Sequence, residues 1–128
     1  MRKFTLLLVD DNEPVVRAIE RGIGGTMEVI TATGPASAKL ILRNRAVDVI
    51  ATDFMMIGGT GLELLQWARD NKPNVGRVLF TGVPDTALQP FVSSGLAHGI
   101  LAKPFLIIDL MAVLTRVIAL PKPELMAD

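Results

Sequence analysis

The sequence predicts an α/β domain built on a parallel β-sheet. Three observations predict it. Short apolar runs alternate with segments of helical period, the pattern of βαβ units. Four of those runs, 4–9, 47–52, 75–80 and 100–102, lead at once into a charged or hydroxyl residue. The chain has 128 residues, enough for one domain with its own core. No apolar run in it approaches the roughly 18–20 residues that a membrane span needs.

Each element follows from local chemistry. The first strand covers about 4–9 and a helix runs from 12 or 13 to 23. Asp11 or Asn12 can cap that helix, Pro14 suits its first turn, and Glu13 with Arg17 is an i,i+4 pair. Gly22, Gly24 and Gly25 are read as ending it. The second strand, 28–31, carries β-branched Val29, Ile30 and Thr31. Gly34-Pro35 then opens a second helix that reaches about 44. The third strand, 47–52, is broken only by Asp48 and is expected at the centre, covered on both faces.

A loop over 53–60 leads into a third helix, about 61–71, and the fourth strand is 75–80. Pro84-Asp85 marks the start of a fourth helix. Pro90 lies inside it, and an interior proline costs about 3 kcal/mol, so this helix is expected to be short, kinked or late-starting. The fifth strand is 98–102 and the fifth helix about 106–120, stopped by Pro121-Lys122-Pro123. Its core face is expected to be Leu106, Leu110, Val113, Leu114 and Val117. Ile107, Met111 and Ile118 form a partly exposed shoulder beside it. Residues 1–121 are read as one domain and 122–128 as a tail.

Composition excludes several classes. Thirteen basic and thirteen acidic side chains give a formal net charge of zero, which argues against a general electrostatic grip on nucleic acid, and no direct nucleic-acid partner is expected. Cysteine is absent, which removes disulfides and thiolate metal sites. The apolar start of the chain ends at Asp10-Asp11 with no small-residue cleavage site. It reads as the first strand of a cytoplasmic protein with no membrane insertion. His98, the only histidine, reads as a strand-edge residue, and Trp67 as packing.

Residues just past the carboxyl ends of parallel strands gather at one sheet edge, where such sheets bind ligands. Asp10, Asp11, Asp53, Thr81 and Lys103 all occupy that position. Three carboxylates resist full ionisation together, and a hard divalent cation relieves the repulsion. A hydroxyl and an ammonium suit a phosphoryl group, whose transfer needs mainly positioning and charge neutralisation. A carboxylate can itself be the nucleophile.

The motifs Leu8-Val9-Asp10-Asp11, Thr52-Asp53-Phe54-Met55-Met56 with Gly61-Leu62-Glu63-Leu64-Leu65, Leu79-Phe80-Thr81-Gly82, and Leu101-Ala102-Lys103-Pro104-Phe105 carry a resemblance. In that order and at those separations, the chain resembles the receiver domain of two-component response regulators over about residues 3–120. The resemblance implies a flavodoxin-like, doubly wound, five-stranded sheet of order 2-1-3-4-5 with five helices. It implies that Asp53 takes a phosphoryl group from a histidine kinase or phosphotransfer protein. Asp11 would ligate Mg2+ directly, Asp10 mainly through water, and the Met55 carbonyl would complete the protein ligands. Thr81 and Lys103 would hold the phosphoryl oxygens, and Gly82 would leave room beside them. The Lys103-Pro104 peptide is typically cis in the family.

No separate substrate, and so no enzyme in the ordinary sense, is implied. The output is read by a downstream protein or effector domain on the face of the fourth helix, fifth strand and fifth helix, which also allows a homodimer. Two departures matter. Ile100 replaces the usual tyrosine or phenylalanine three residues before the lysine, and Ile57 replaces a usual proline. The alternative is therefore a pseudo-receiver, a protein-binding module that signals without phosphorylation. An aspartate-nucleophile phosphatase would need a further aspartate two positions after the first, where Asn12 stands if the count starts at Asp10. Apolar Met55 and Val83, each two residues beyond a site residue, predict slow loss of the phosphoryl group.

Overall fold

The computed structural model describes residues 3–82 and 85–121. Val83, Pro84 and the tail 122–128 lie outside the described residues. Five strands form one parallel sheet: β1 (Thr5–Val9), β2 (Glu28–Ala32), β3 (Val49–Asp53), β4 (Gly76–Thr81) and β5 (Gly99–Ala102), in the order β2-β1-β3-β4-β5. Five helices connect and follow them: α1 (Glu13–Ile23), α2 (Pro35–Asn44), α3 (Gly61–Asn71), α4 (Asp85–Ser93) and α5 (Ile107–Ile118).

Alternation along the strands builds two cores. Leu7, Val9, Ile50 and Leu79 point to one face and pack with Leu42 of α2, Leu64, Leu65 and Ala68 of α3, and Leu88 of α4. Leu6, Leu8, Val49, Ala51, Val78 and Phe80 point to the other, against Ile19 and Ile23 of α1 and Leu110, Leu114 and Val117 of α5. Each Val, Leu, Ile or Phe among them contributes about 1.5–3 kcal/mol by leaving water. The sheet is thus wound on both faces, and all strands end at the same edge.

The helix starts explain the chain's aim at that edge. Asn12 caps α1 by accepting from the Val15 N–H, and Glu13 pairs with Arg17 at 3.0 Å. Thr60 caps α3: its Oγ1 accepts from the Glu63 N–H and donates to Glu63 Oε1, both at 3.2 Å. Pro90 is tolerated within the nine residues of α4, which is short as expected.

Several expectations need correction. Gly22 lies inside the last turn of α1 and does not end it; a Cβ there would meet Ile107 Cγ2 at 2.9 Å, so it lets α5 approach. Leu106 is 67% exposed and not core, because it is the extended N-cap residue of α5 and the helical wheel does not reach it. Val113 is only partly buried, while Ile107, Met111 and Ile118 form the half-buried shoulder that was expected. The 53–60 loop contains a short antiparallel ribbon, Met55–Met56 against Gly59–Thr60, turned through Gly58 at φ +93°, where a side chain would be strained.

Candidate functional site

The carboxyl ends of β1, β3, β4 and β5 bring together all the residues singled out in the sequence. Asp10 follows β1, and its N–H still donates to the Ala32 carbonyl, so the residue is held as an extension of the sheet. Its carboxylate has no exposed surface; Oδ1 accepts from the Asn12 N–H at 2.9 Å and Oδ2 from Lys103 Nζ at 2.9 Å. Asp11 is exposed, and its Oδ2 accepts from the Ile57 N–H of the ribbon at 3.2 Å. Neither aspartate is the helix cap; that role falls to Asn12.

Asp53 closes β3. Its Oδ1 accepts from its neighbour's amide, Phe54 N–H, at 3.0 Å and from Lys103 Nζ at 3.2 Å. Thr81 closes β4 and is fully buried. Its carbonyl accepts from the Lys103 N–H at 2.7 Å, which fixes the start of the Lys103-Pro104 turn beside it. The Lys103-Pro104 peptide is cis. The ring of Phe105 packs on Phe80, with centroids 4.9 Å apart, and anchors the far side of that turn. A Cβ built on Gly82 meets nothing within 4 Å, so open space lies beside Thr81. Met55 stands two residues past Asp53 at the base of the ribbon, 63% exposed.

The electrostatics follow from this crowding. Burial pushes the Asp53 carboxyl above its ordinary range, and the Asp10 charge pushes it the same way; Lys103 and the Phe54 amide oppose them without prevailing. Burial works to lower Lys103, but its bonds to Asp10 and Asp53 and their charges outweigh it and hold the ammonium above its usual value. Asp10, Asp11 and Asp53 each offer a carboxylate oxygen, and the three lie within 4.8 Å of one another. Three carboxylates against one ammonium leave two negative charges uncompensated, which a divalent cation matches. All-oxygen donors suit a hard ion. The group is therefore able to hold a metal ion.

Comparison with known proteins decides the family. A model of the response regulator receiver domain matches residues 6–115. The chain belongs to the receiver-domain family. It is 31% identical over 85 residues to the hydrogenase transcriptional regulatory protein HoxA of Cupriavidus necator, covering 66% of this chain and 18% of HoxA. It is 31% identical over 123 residues to the photosynthetic apparatus regulatory protein RegA of Rhodovulum sulfidophilum, covering 93% of this chain and 66% of RegA. The chain thus spans only part of these relatives. A solved structure of an adenylate cyclase from Rhodopirellula baltica superposes with a TM-score of 0.86 at 28% identity, covering 91% of this chain and 88% of that one. The receiver fold, the aspartate group and the Lys103–Asp53 ion pair are those of a two-component signalling domain. No described helix is long and apolar enough to cross a membrane.

Sequence reasoning missed the backbone donors. The amides of Asn12, Phe54 and Ile57 orient the three carboxylates. Backbone groups carry no residue-type signal, so only the fold reveals them.

Proposed function

We propose that this receiver domain accepts a phosphoryl group on Asp53 from a phosphohistidine of a sensor kinase or phosphotransfer protein. An Asp53 carboxylate oxygen attacks phosphorus, the P–N bond breaks, and its electron pair leaves with the imidazole. Lys103 neutralises charge on the phosphoryl oxygens, and the Thr81 hydroxyl donates to one of them. Asp10, Asp11, Asp53 and the Met55 carbonyl would hold Mg2+. When bound, that ion supplies charge neutralisation at the phosphoryl oxygens. Lys103 already occupies Asp10 Oδ2, which favours an indirect, water-mediated role for Asp10. The observation that carries this reading is the convergence of the Asp10 and Asp53 carboxylates on the single ammonium of Lys103, within an aspartate group that can hold a metal ion.

Phosphorylation adds up to two negative charges beside Lys103. The population of states of the α4, β5 and α5 face then changes, and a downstream protein, effector domain or second copy reads it. Apolar Met55 and Val83, each two residues beyond a site residue, would limit the water able to attack the acyl phosphate, so slow hydrolysis is expected. Phosphotransfer to the wild type and to Asp53→Ala is the test. Label on the wild type alone is the expected result; label on both refutes Asp53 as acceptor.

One observation favours a second reading. Ile100, half-buried against the α2–α4 core, has no ring to swing between solvent and interior. A pseudo-receiver would need no such report. Beryllofluoride with Mg2+ separates the two, because a pseudo-receiver leaves the amide signals around Asp53 unmoved.

A further inference from the structure

Gly61, the first residue of α3, lies directly behind Asp53. A Cβ built on it would overlap the Asp53 carbonyl oxygen, well inside contact distance. It would also meet Thr52 Cγ2 at 3.0 Å and the Asp53 carbonyl carbon at 3.1 Å. Two of these three contacts are backbone, which cannot rotate away. The Asp53 carbonyl is boxed from another side as well, since the Thr52 hydroxyl donates to it at 3.0 Å.

We propose that Gly61 is a positioning residue for the acidic site: its bare Cα, packed on the Asp53 carbonyl, sets the segment whose amides orient Asp53 and Asp11. The connection is continuous. The Gly61 N–H donates to the Phe54 carbonyl at 2.7 Å. The Phe54 N–H faces both the Phe80 carbonyl and Asp53 Oδ1, each at 3.0 Å. The Ile57 N–H, on the ribbon between Phe54 and Gly61, holds Asp11 Oδ2 at 3.2 Å. Asp53 itself is paired to β4 opposite Phe80 and cannot retreat. A side chain at 61 therefore drives residue 61 outward and carries Phe54 and Ile57 with it. Both carboxylates lose their backbone donors, and Asp53 is left with the Lys103 ammonium alone. The inference rests on the metal-binding and phosphoacceptor reading only for what the aimed carboxylates are used for.

The test compares Gly61→Ala with Gly76→Ala. Gly76 is also crowded, though less tightly and by side chains, at the other end of β4. Its Cβ would meet the side chains of Val117 at 2.6 Å and Val49 at 3.2 Å, far from the carboxylates. Amide NMR spectra of the metal-free proteins, Mg2+ titrations and thermal unfolding are recorded for both. In Gly61→Ala the Phe54 and Ile57 amide signals move without metal, and the Mg2+ midpoint rises about 10–100-fold, as for other losses of support behind metal ligands. In Gly76→Ala the unfolding temperature falls, while those signals and the midpoint stay with the wild type.

A double variant, Thr52→Ser with Gly61→Ala, relieves the methyl contact but not the carbonyl one. It regains stability and leaves the Mg2+ midpoint raised. An unchanged midpoint in Gly61→Ala overturns the proposal. So does an equal rise in Gly76→Ala, a double variant that recovers the midpoint, or failure of both Gly61 variants to fold, which would make the contact a requirement of the fold alone. A wild type that ignores Mg2+ would instead refute the metal reading, and the metal-free amide shifts would still decide the role of Gly61.

Discussion

Lys103 Nζ lies 2.9 Å from Asp10 Oδ2 and joins the ends of two strands that are not neighbours in the sheet. β3 and β4 lie between them, and the ammonium reaches Asp53 at 3.2 Å on the way. The Asp10 carboxylate has no exposed surface, whereas Lys103 keeps about a quarter of its own. The ammonium therefore compensates a charge that water cannot reach.

Removing that ammonium should cost far more than a surface ion pair would. Lys103→Met leaves the buried Asp10 carboxylate unpaired. The expected loss in metal-free protein is about 3 kcal/mol, the low end for a broken buried pair because Lys103 is partly solvated. Adding Asp10→Asn to Lys103→Met should restore much of it, since no buried charge then remains. Urea unfolding of the four proteins in the double-mutant cycle measures both numbers. A loss below about 1 kcal/mol for Lys103→Met would place this pair with ordinary surface bridges.

The pH dependence of stability carries the sign of the Asp53 shift. Its carboxyl is held above the ordinary range, first by burial and then by Asp10. An acid with a raised folded value binds its proton more tightly folded than unfolded. Ionised Asp53 therefore opposes folding, and that cost fades as the pH falls through its raised value toward the unfolded one. Asp53→Asn should unfold at a higher temperature than the wild type at neutral pH without metal. The gap should close on acidification and shrink in saturating Mg2+, which stabilises the wild type by about 2.7 kcal/mol at a hundred times its dissociation constant. Lys103 works in the opposite window. Its raised value keeps its contribution intact through neutral pH and loses it only on strong alkalinisation. Thermal scans of both proteins from acid to neutral pH check the sign, and a wild type more stable than Asp53→Asn at neutral pH would contradict it.

What the sequence made legible follows a physical division. Strands buried on both faces read as unbroken apolar runs, so Leu6–Val9 and Val49–Thr52 were visible, and so were the polar residues that end them. The site was legible because its chemistry sits in side chains at strand ends. The ribbon at 55–60 was not, because two-residue strands have no periodicity and Ile57-Gly58-Gly59-Thr60 reads as loop. Leu106 misled because a helical wheel assumes a helix that has already begun. Arg77 was hidden most completely: it stands inside the apolar run of β4, yet it is 3% exposed and carries a full charge.

Arg77 stabilises the opposite edge of the sheet from the site. Its Nε donates to the Leu96 carbonyl at 2.9 Å, its Nη2 to Gly95 at 3.0 Å, and its Nη1 to Val75 at 3.2 Å and Pro73 at 3.3 Å. Its own N–H donates to His98 Nδ1 at 3.0 Å, which fixes that ring nitrogen as an acceptor. Burial, and then the nearby Arg69 charge, lower the guanidinium below its ordinary value. One side chain thus satisfies the carbonyls of both loops that flank β4 and β5. Arg77→Met fills similar space but strands those acceptors, and it should cost about 3 kcal/mol in urea unfolding. The Mg2+ midpoint should stay within about twofold of the wild type, since Asp10, Asp11 and Asp53 keep every donor that aims them. A tenfold weaker midpoint would mean that the base of β4 transmits strain along the strand to Thr81. The carboxylate cluster would then depend on the whole length of the sheet and not on its carboxyl edge alone.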